Sequence, residues 1–251
     1  MIEQESQEDS IDNSIRGIRH KIIFVGATNA GKTSIINRII DNSFHEPTEI
    51  QVGLDLMNKN IRFRGQNIKI QIWDSIGQER YKGLIPSYVR NSSIAFCVYD
   101  TSDRFSFDSV IGWISFVKSV GNVSMIVLCG SKIDLDRKVE KKEGEELAKK
   151  ENISFFECSA KTNDNIKNMF YSSIAGSSIF GDYDEYEKYN LVKELIEENE
   201  VEESKEEGSI QNLNENQKGK LNVNGKMTSG NINRKKKCGC HYFLKNYQKY
   251  K

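Results

Sequence analysis

The stretch KIIFVGATNAGKTS, residues 21–34, joins a short apolar run to a glycine-rich loop that matches the pattern G-x-x-x-x-G-K-[ST]. The match lies between a strand pattern and a helical pattern, the context this motif requires, and it predicts a nucleoside triphosphate site rather than a purely structural glycine turn. Gly26 and Gly31 let the backbone curl so that its N–H groups face phosphate oxygens. Lys32 then reaches the β- and γ-phosphates, and the Thr33 hydroxyl binds magnesium. The residues predicted to line this loop are Gly26, Asn29, Ala30, Gly31, Lys32, Thr33 and Ser34.

Apolar runs recur between residues 20 and 180, and segments of helical length separate them. The runs are KIIFV (21–25), IAFCVY (94–99), SMIVLC (124–129) and ISFFEC (153–158). Because they do not alternate with polar residues, they predict central strands covered on both faces, in a parallel sheet with crossover helices. Residues 54–73 instead hold two alternating runs joined near Arg64-Gly65-Gln66, which predict a hairpin at a sheet edge. The predicted fold is α/β, mostly parallel with one antiparallel edge strand.

Composition and charge indicate that part of the chain lies outside this sheet. The hydrophobic content of 37% is low for a chain of 251 residues folded to its ends. The net charge of zero hides an asymmetry, because residues 182–207 carry twelve acids against three lysines, whereas residues 218–251 carry ten bases and no acid. The chain shows neither a secretory leader pattern nor eighteen consecutive apolar residues. We therefore expect an intracellular protein whose cysteines at 97, 129 and 158 act as small hydrophobes.

Two segments narrow the kind of nucleotide. GSKID (130–134) and ECSAK (157–161) each follow a buried strand, so both lie at the sheet edge that carries the phosphate loop. Here the sequence resembles the Ras-like small GTPases, whose Asn-Lys-x-Asp and Ser-Ala-Lys motifs recognise guanine. The matching residues are Lys132, Asp134, Ser159, Ala160 and Lys161. The resemblance implies a Ras-like P-loop NTPase with a six-stranded sheet and helices on both faces, binding GTP and GDP with magnesium; a P-loop kinase or ATPase is a distant alternative.

Position 131 departs from the family pattern, because Ser131 stands where these GTPases have asparagine. A serine hydroxyl still donates and accepts a hydrogen bond, but its reach is shorter. We expect Ser131 to contribute to the site that binds the guanine base. We also expect a looser contact between the base loop, residues 131–134, and the phosphate loop, residues 26–34.

The stretch WDSIGQERYKGLIPSYVR, residues 73–90, resembles the Rab family, and GLIPSYVR is similar to its Golgi-trafficking branch. The resemblance covers about residues 20–175. It implies that Asp74 holds the magnesium shell through water, that Gly77 contacts the γ-phosphate and that Gln78 orients the attacking water. It also implies that Phe44 stacks on guanine, although a loop anchor in the core is the alternative for this residue.

Two further departures lie beside the predicted γ-phosphate. The family spacing places Gln51 where a threonine normally binds magnesium, and Ile76 where the family has alanine. Gln51 still offers an oxygen ligand, but it is longer, and a β-branched residue at 76 is stiff where the backbone must move. These changes predict that the chain hydrolyses GTP slowly, or that it changes shape differently between its nucleotide states. The competing hypothesis is a non-hydrolysing or degenerate GTP-binding docking module.

The basic tail bears on membrane attachment. NRKKKCGC (233–240) resembles a Rab ending in which two cysteines, here Cys238 and Cys240, carry geranylgeranyl groups beside basic residues. Eleven more residues, HYFLKNYQKYK, follow. The extension is removed, or the cysteines are acylated instead, or the aromatic extension itself lies on the membrane; a solvated basic tail is the remaining alternative.

These observations predict four regions and a set of partners. The regions are an acidic disordered N-terminus (1–17), a nucleotide-binding domain (18–180), a largely disordered linker (181–237) and a cysteine-containing basic tail (238–251). The acidic segment 182–207 is favoured as a charged spacer over a partner-binding helix. The resemblance implies effectors, exchange factors and GTPase-activating proteins at two switch loops, about 44–56 and 74–90. It also implies a membrane-peripheral location at the Golgi. Because no aromatic-lined groove accompanies the basic run of the tail, we expect no nucleic-acid partner.

Overall fold

The computed structural model describes residues 20–45, 54–64, 66–75, 85–177, 179, 184 and 186–201. Its strands are β1 (His20–Gly26), β2 (Leu54–Phe63), β3 (Gln66–Ser75), β4 (Ile94–Asp100), β5 (Met125–Ser131) and β6 (Ser154–Glu157). Its helices are α1 (Lys32–Asp41), α2 (Ile85–Val89), α3 (Arg104–Val120), α4 (Lys141–Glu151), α5 (Ile166–Gly176) and α6 (186–201). The chain divides into two units between residues 200 and 201, and every contact given below lies within the first. Among the helices described, none is both long enough and apolar enough to cross a membrane.

The six strands form one sheet in the order β2-β3-β1-β4-β5-β6. All neighbouring pairs are parallel except β2 and β3, which are antiparallel and meet at the Phe63–Gln66 pair. The predicted α/β class and the predicted edge hairpin are therefore confirmed. The order brings the carboxyl ends of β1, β3, β5 and β6 to one edge of the sheet, where ligands of such folds bind.

Alternate residues of the central strands pack into two separate apolar layers, one on each face of the sheet. In β1, Ile22 and Phe24 face a layer shared with α1 and α5, whereas Ile23 and Val25 face a layer shared with α2, α3 and α4. Each of these side chains is fully buried. Burying such a side chain contributes about 1.5–3 kcal/mol. The runs of β1 and β4 lack polar alternation because both faces of these central strands are buried. The three predicted cysteines are buried and unbridged.

Helix α6 packs on the hairpin edge of the sheet. Leu191 and Leu195 are buried in the same layer as Ile61. The Asn199 carboxamide accepts a hydrogen bond from the Arg62 N–H at 3.0 Å and donates one to the Arg62 carbonyl at 2.9 Å. It therefore pairs two backbone groups of an edge strand, as a neighbouring strand would do.

The spacer interpretation of the acidic segment is wrong for residues 186–200. One face of this helix is buried at intervals of four residues, at Leu191, Leu195 and Asn199. The glutamates lie outside this buried stripe. The ion pair of Glu194 with Arg64 at 3.1 Å adds little, because both side chains are a third or more exposed. Apolar packing rather than charge therefore holds α6 on the sheet. The domain limits proposed from the sequence stay a prediction.

We expect Leu195→Ala to lower the free energy of unfolding by about 2–4 kcal/mol, because it opens a cavity where a fully buried side chain stood. Glu197→Ala is the matched control on the same helix, since its side chain is 67% exposed, and it is expected to cost under about 0.5 kcal/mol. Urea denaturation of the full chain measures both. Equal stabilities of the two variants would mean that α6 does not pack on the sheet.

Candidate functional site

The phosphate loop between β1 and α1 needs glycine at two positions. Gly26 has φ +147°, and a Cβ there would lie 2.1 Å from the Val98 carbonyl oxygen on the neighbouring strand β4. Gly31 has φ +87°, a left-handed conformation that side chains rarely adopt, and its Cβ would lie 3.2 Å from Ser131 Oγ. The curl expected from the motif is therefore present, pressed against β4 on one side and the base loop on the other.

Lys32 lies inside this curl. Its ammonium donates to the carbonyl oxygens of Gly26 at 3.1 Å and Ala27 at 2.7 Å, and the residue is only 5% exposed. Burial lowers the pKa of Lys32 to about 8, and the negative charge of Asp74 partly offsets that shift. A positive charge is thus held in a dry position where phosphate oxygens are predicted to bind.

Thr33 and Asp74 meet at the end of β3. The Thr33 hydroxyl donates to Asp74 Oδ2 at 2.5 Å. Asp74 Oδ1 is buried and has no hydrogen-bond partner in the described part of the chain. Burial raises the pKa of this carboxyl, while the Thr33 hydrogen bond and the Lys32 charge oppose the shift. A hydroxyl and a carboxylate with an unused buried oxygen offer the hard ligands that magnesium prefers, so both residues fit the predicted metal site.

The two base loops are joined to each other. The Ser159 hydroxyl donates to Asp134 Oδ1 at 2.6 Å, which orients the carboxylate predicted to read guanine. The backbone N–H of Cys158 donates to the Gly130 carbonyl at 2.8 Å and continues the strand pairing into the loops. Lys132 forms a 2.7 Å ion pair with the buried Asp100. The two loops that carry the predicted base-reading residues therefore form one hydrogen-bonded unit.

Ser131 links this unit to the phosphate loop. Its hydroxyl donates to the Ala30 carbonyl at 2.6 Å, and the residue is 2% exposed. The short serine reaches the loop backbone, because Gly31 has no Cβ to block the approach. The expectation that this contact is looser than the family's stays a prediction. A hydroxyl has a single proton to donate, so the donor of Ser131 is used in holding the two loops together.

Comparison with protein-family models matches residues 21–177 to the Ras family. The match spans more than half of the chain and includes every site element described above. The chain belongs to the Ras family. It therefore carries a GTP-binding switch domain of the GTPase class, with GTP, GDP and generally magnesium as its ligands, and with regulators and effectors as partners.

Within this Ras-family domain, Phe44 follows α1 and is half-buried. It packs against the apolar layer that contains α1 and α5, and the Arg38 guanidinium lies 6.0 Å from its ring centre. These contacts agree with an anchor at the start of the first switch. The stacking of Phe44 on guanine stays a prediction.

The sequence pattern left two polar residues of the site without a role. Asp100 is the last residue of β4 and lies at the ligand edge. The strand pattern predicts this position, but it does not predict the ion pair of Asp100 with Lys132. Arg38 carried no signal, because an arginine on an amphipathic helix is typical of a solvated face. The structure instead directs it to the loop that contains Ala160 and Lys161.

Four predicted residues lie outside the described part of the chain. They are Gln51, Ile76, Gly77 and Gln78. The roles assigned to them, including catalysis by Gln78 and magnesium binding by Gln51, stay predictions. The same holds for lipid attachment at Cys238 and Cys240.

Proposed function

We propose that the chain is a Rab-type switch in vesicle traffic near the Golgi, and that it hydrolyses GTP slowly. The observation that carries the guanine-nucleotide part is the joined site. The Thr33–Asp74 pair lies at the end of the phosphate loop, and Ser131 ties that loop to the segment whose Asp134 pairs with Ser159. The Rab assignment is supported by the resemblance of residues 73–90, which extends to the Golgi-trafficking branch of that family.

Hydrolysis in such a site depends on position and charge, because phosphoryl transfer needs little covalent help from the protein. Lys32 holds the phosphates from within the loop, and Thr33 and Asp74 hold magnesium. When bound, the metal supplies positive charge that offsets charge on the phosphate oxygens. Gln78 is the catalytic residue, because it orients the attacking water.

The slow rate follows from two residues beside the γ-phosphate. Gln51 replaces a compact threonine ligand with a longer amide, which fits an octahedral metal shell less well. Ile76 adds stiff volume next to Gly77, where the backbone must approach the phosphate. Both changes weaken interactions that are needed most in the transition state, and so they lower the rate more than the affinity.

We expect the double variant Gln51→Thr plus Ile76→Ala to hydrolyse bound GTP about tenfold faster than the wild type, equivalent to about 1.4 kcal/mol of barrier. Single-turnover hydrolysis on purified full-length protein measures this rate. Ile111→Ala is the matched control, because Ile111 is 45% exposed on α3, and its rate should equal that of the wild type. A wild-type rate typical of Rab proteins that does not rise in the double variant would refute slow hydrolysis.

The second candidate function is a docking module that binds GTP without hydrolysing it. Gln51 and Ile76 favour it, whereas the intact contacts of Lys32, Thr33 and Asp74 favour a working switch. The nucleotide extracted from the purified chain separates the two. Bound GDP supports turnover, bound GTP supports stalled hydrolysis and therefore the docking module, and a chain without nucleotide contradicts the switch and indicates a degenerate site.

Membrane attachment is proposed through Cys238 and Cys240 or through the basic aromatic extension, with effectors and regulators binding the two switch loops. Two lipid chains beside basic residues give stable anchoring, whereas one chain does not. Intact mass of the chain from its native cells distinguishes lipid addition from trimming. An unmodified full-length mass together with a uniform cytosolic distribution would contradict both the lipid anchor and the Golgi location.

A further inference from the structure

Arg38 on α1 reaches three backbone carbonyls with one guanidinium. Its Nε donates to the Ala160 carbonyl at 2.6 Å, and one terminal nitrogen donates to the Lys161 carbonyl at 3.3 Å. The other terminal nitrogen donates to the carbonyl of Asn42, just after the helix. The first two acceptors belong to the Ser-Ala-Lys loop, more than 120 residues away along the chain. This arginine therefore joins the phosphate-loop helix to the Ser-Ala-Lys loop, residues 159–161.

The contact with Lys161 continues to the base-reading carboxylate. In a planar trans peptide the C=O and the following N–H point in opposite directions, so fixing the Lys161 carbonyl also fixes the Thr162 N–H. That N–H donates to Ser159 Oγ at 3.1 Å, and the Ser159 hydroxyl donates to Asp134 Oδ1 at 2.6 Å. Three hydrogen bonds and the Lys161–Thr162 peptide thus connect Arg38 to Asp134.

The contact with Ala160 acts on the same loop from the other peptide. Holding the Ala160 carbonyl towards α1 directs the Lys161 N–H to the opposite side, away from the helix. Only a planar guanidinium presents several N–H groups in a rigid fork that can serve separate carbonyls at once. A lysine in this position would offer a single point of charge.

The third contact ties the same arginine to the start of the first switch. The Asn42 carbonyl accepts from Arg38, and the Asn42 side chain accepts from Asn163 at 2.9 Å. Phe44 follows two residues later with its ring 6.0 Å from the guanidinium carbon, at the outer limit of a cation–π contact. The Ser-Ala-Lys loop and the beginning of the first switch therefore both contact Arg38.

We propose that Arg38 is a positioning residue for guanine recognition, which holds Asp134 and the Ser-Ala-Lys loop in the geometry that reads the base and ties that geometry to the start of the first switch. The inference rests on the proposed base-reading role of Asp134. It assigns to α1, whose first residues hold phosphate and metal, a second role at its other end.

The test compares GDP with inosine diphosphate (IDP), which lacks the 2-amino group and so offers one donor fewer to Asp134. We expect the wild type to bind GDP at least about tenfold more tightly than IDP, the value of one charge-assisted hydrogen bond. Arg38→Gln should lower that ratio to about twofold and accelerate GDP release about tenfold. If Arg38 only stabilised the fold, its substitution would weaken the binding of both nucleotides equally and leave the ratio of their affinities unchanged.

Arg104→Gln is the matched control. Arg104 also joins two elements, α3 and α4, by donating to Glu143, and its guanidinium lies 5.1 Å from the Phe107 ring centre. Among the described residues its contacts are with Asp108, Glu143 and Phe107, none of which lies in a base loop. It should keep the wild-type GDP to IDP ratio. Arg38→Lys keeps the charge but not the fork, so its ratio should fall between those of the wild type and Arg38→Gln, and it decides the question if Arg38→Gln does not fold.

The outcomes separate this inference from the function on which it rests. A wild-type ratio retained in Arg38→Gln, or in Arg38→Lys where that variant decides, overturns the role of Arg38 alone. A wild type without preference for GDP over IDP overturns that role and the base-reading role of Asp134 together. A lowered ratio in the Arg38 variants with an unchanged ratio in Arg104→Gln supports the inference.

Discussion

Lys32→Ala should weaken GDP binding about a thousandfold. The ammonium is buried within the phosphate loop and already held by the Gly26 and Ala27 carbonyls, so it meets the phosphates without reordering and in a dry environment. Removing one partner of such a buried charge pair costs about 4 kcal/mol, which corresponds to three decades in affinity. Isothermal titration of nucleotide-free protein with GDP and magnesium measures the loss.

The same change should leave the nucleotide-free fold at least as stable as the wild type. Burial lowers the pKa of Lys32 to about 8, which means that the charged ammonium costs free energy in the folded state at neutral pH.

Lys118→Ala is the control for the loss of GDP affinity. Lys118 also donates to a backbone carbonyl, that of Glu151 at 2.8 Å, but it joins α3 to α4. It should keep GDP affinity within about twofold. A Lys32→Ala protein that binds GDP normally would contradict the assignment of the loop.

Asp134→Asn should weaken GDP binding about a hundredfold and improve the binding of xanthosine diphosphate. Guanine presents two N–H donors to a carboxylate, which accepts both. An asparagine amide accepts one of them and places its own N–H against the other, so a hydrogen bond is lost and two donors face each other, at a cost of about 3 kcal/mol. Xanthine has an oxygen in place of the 2-amino group and restores the match.

Competition between the two nucleotides for the wild type and the variant measures this reversal. Because Ser159 donates to Asp134 Oδ1 at 2.6 Å, the substituted amide keeps a partner and the loop is expected to keep its position. Asp136→Asn is the control two positions along the chain, and its preference should match the wild type. Unchanged preference in Asp134→Asn would remove this residue from base recognition.

The sheet and the ligand edge were predictable because their signals are local. An unalternated apolar run such as residues 94–99 predicts a strand buried on both faces, and the motif at residues 26–34 needs only its two flanking elements to be interpreted. Both predictions depend on backbone periodicity and on glycine conformations, which neighbouring residues determine. The same holds for the hairpin, whose two alternating runs lie next to each other in sequence.

The remaining features depend on contacts between distant residues. Helix α6 has an acidic composition, and its buried stripe of Leu191 and Leu195 gains meaning only against the β2 edge. In the sequence, Arg38 has the pattern of an ordinary arginine on a helix surface. Its contacts with the Ser-Ala-Lys loop exist only in the folded chain. Ser131 contacts the phosphate loop over Gly31, and the sequence pattern does not show that these two residues lie side by side. In each case side-chain reach across the fold decides the outcome.

The central claim is that this Ras-family chain reads guanine with Asp134 while its phosphate loop holds the phosphates. The most direct test is the affinity of nucleotide-free wild-type protein for GDP and for ADP, measured side by side with magnesium. Adenine presents an acceptor where guanine presents a donor, so a carboxylate repels it. We expect GDP to bind at least about a hundredfold more tightly than ADP. Equal affinities, or tighter binding of ADP, would contradict the claim.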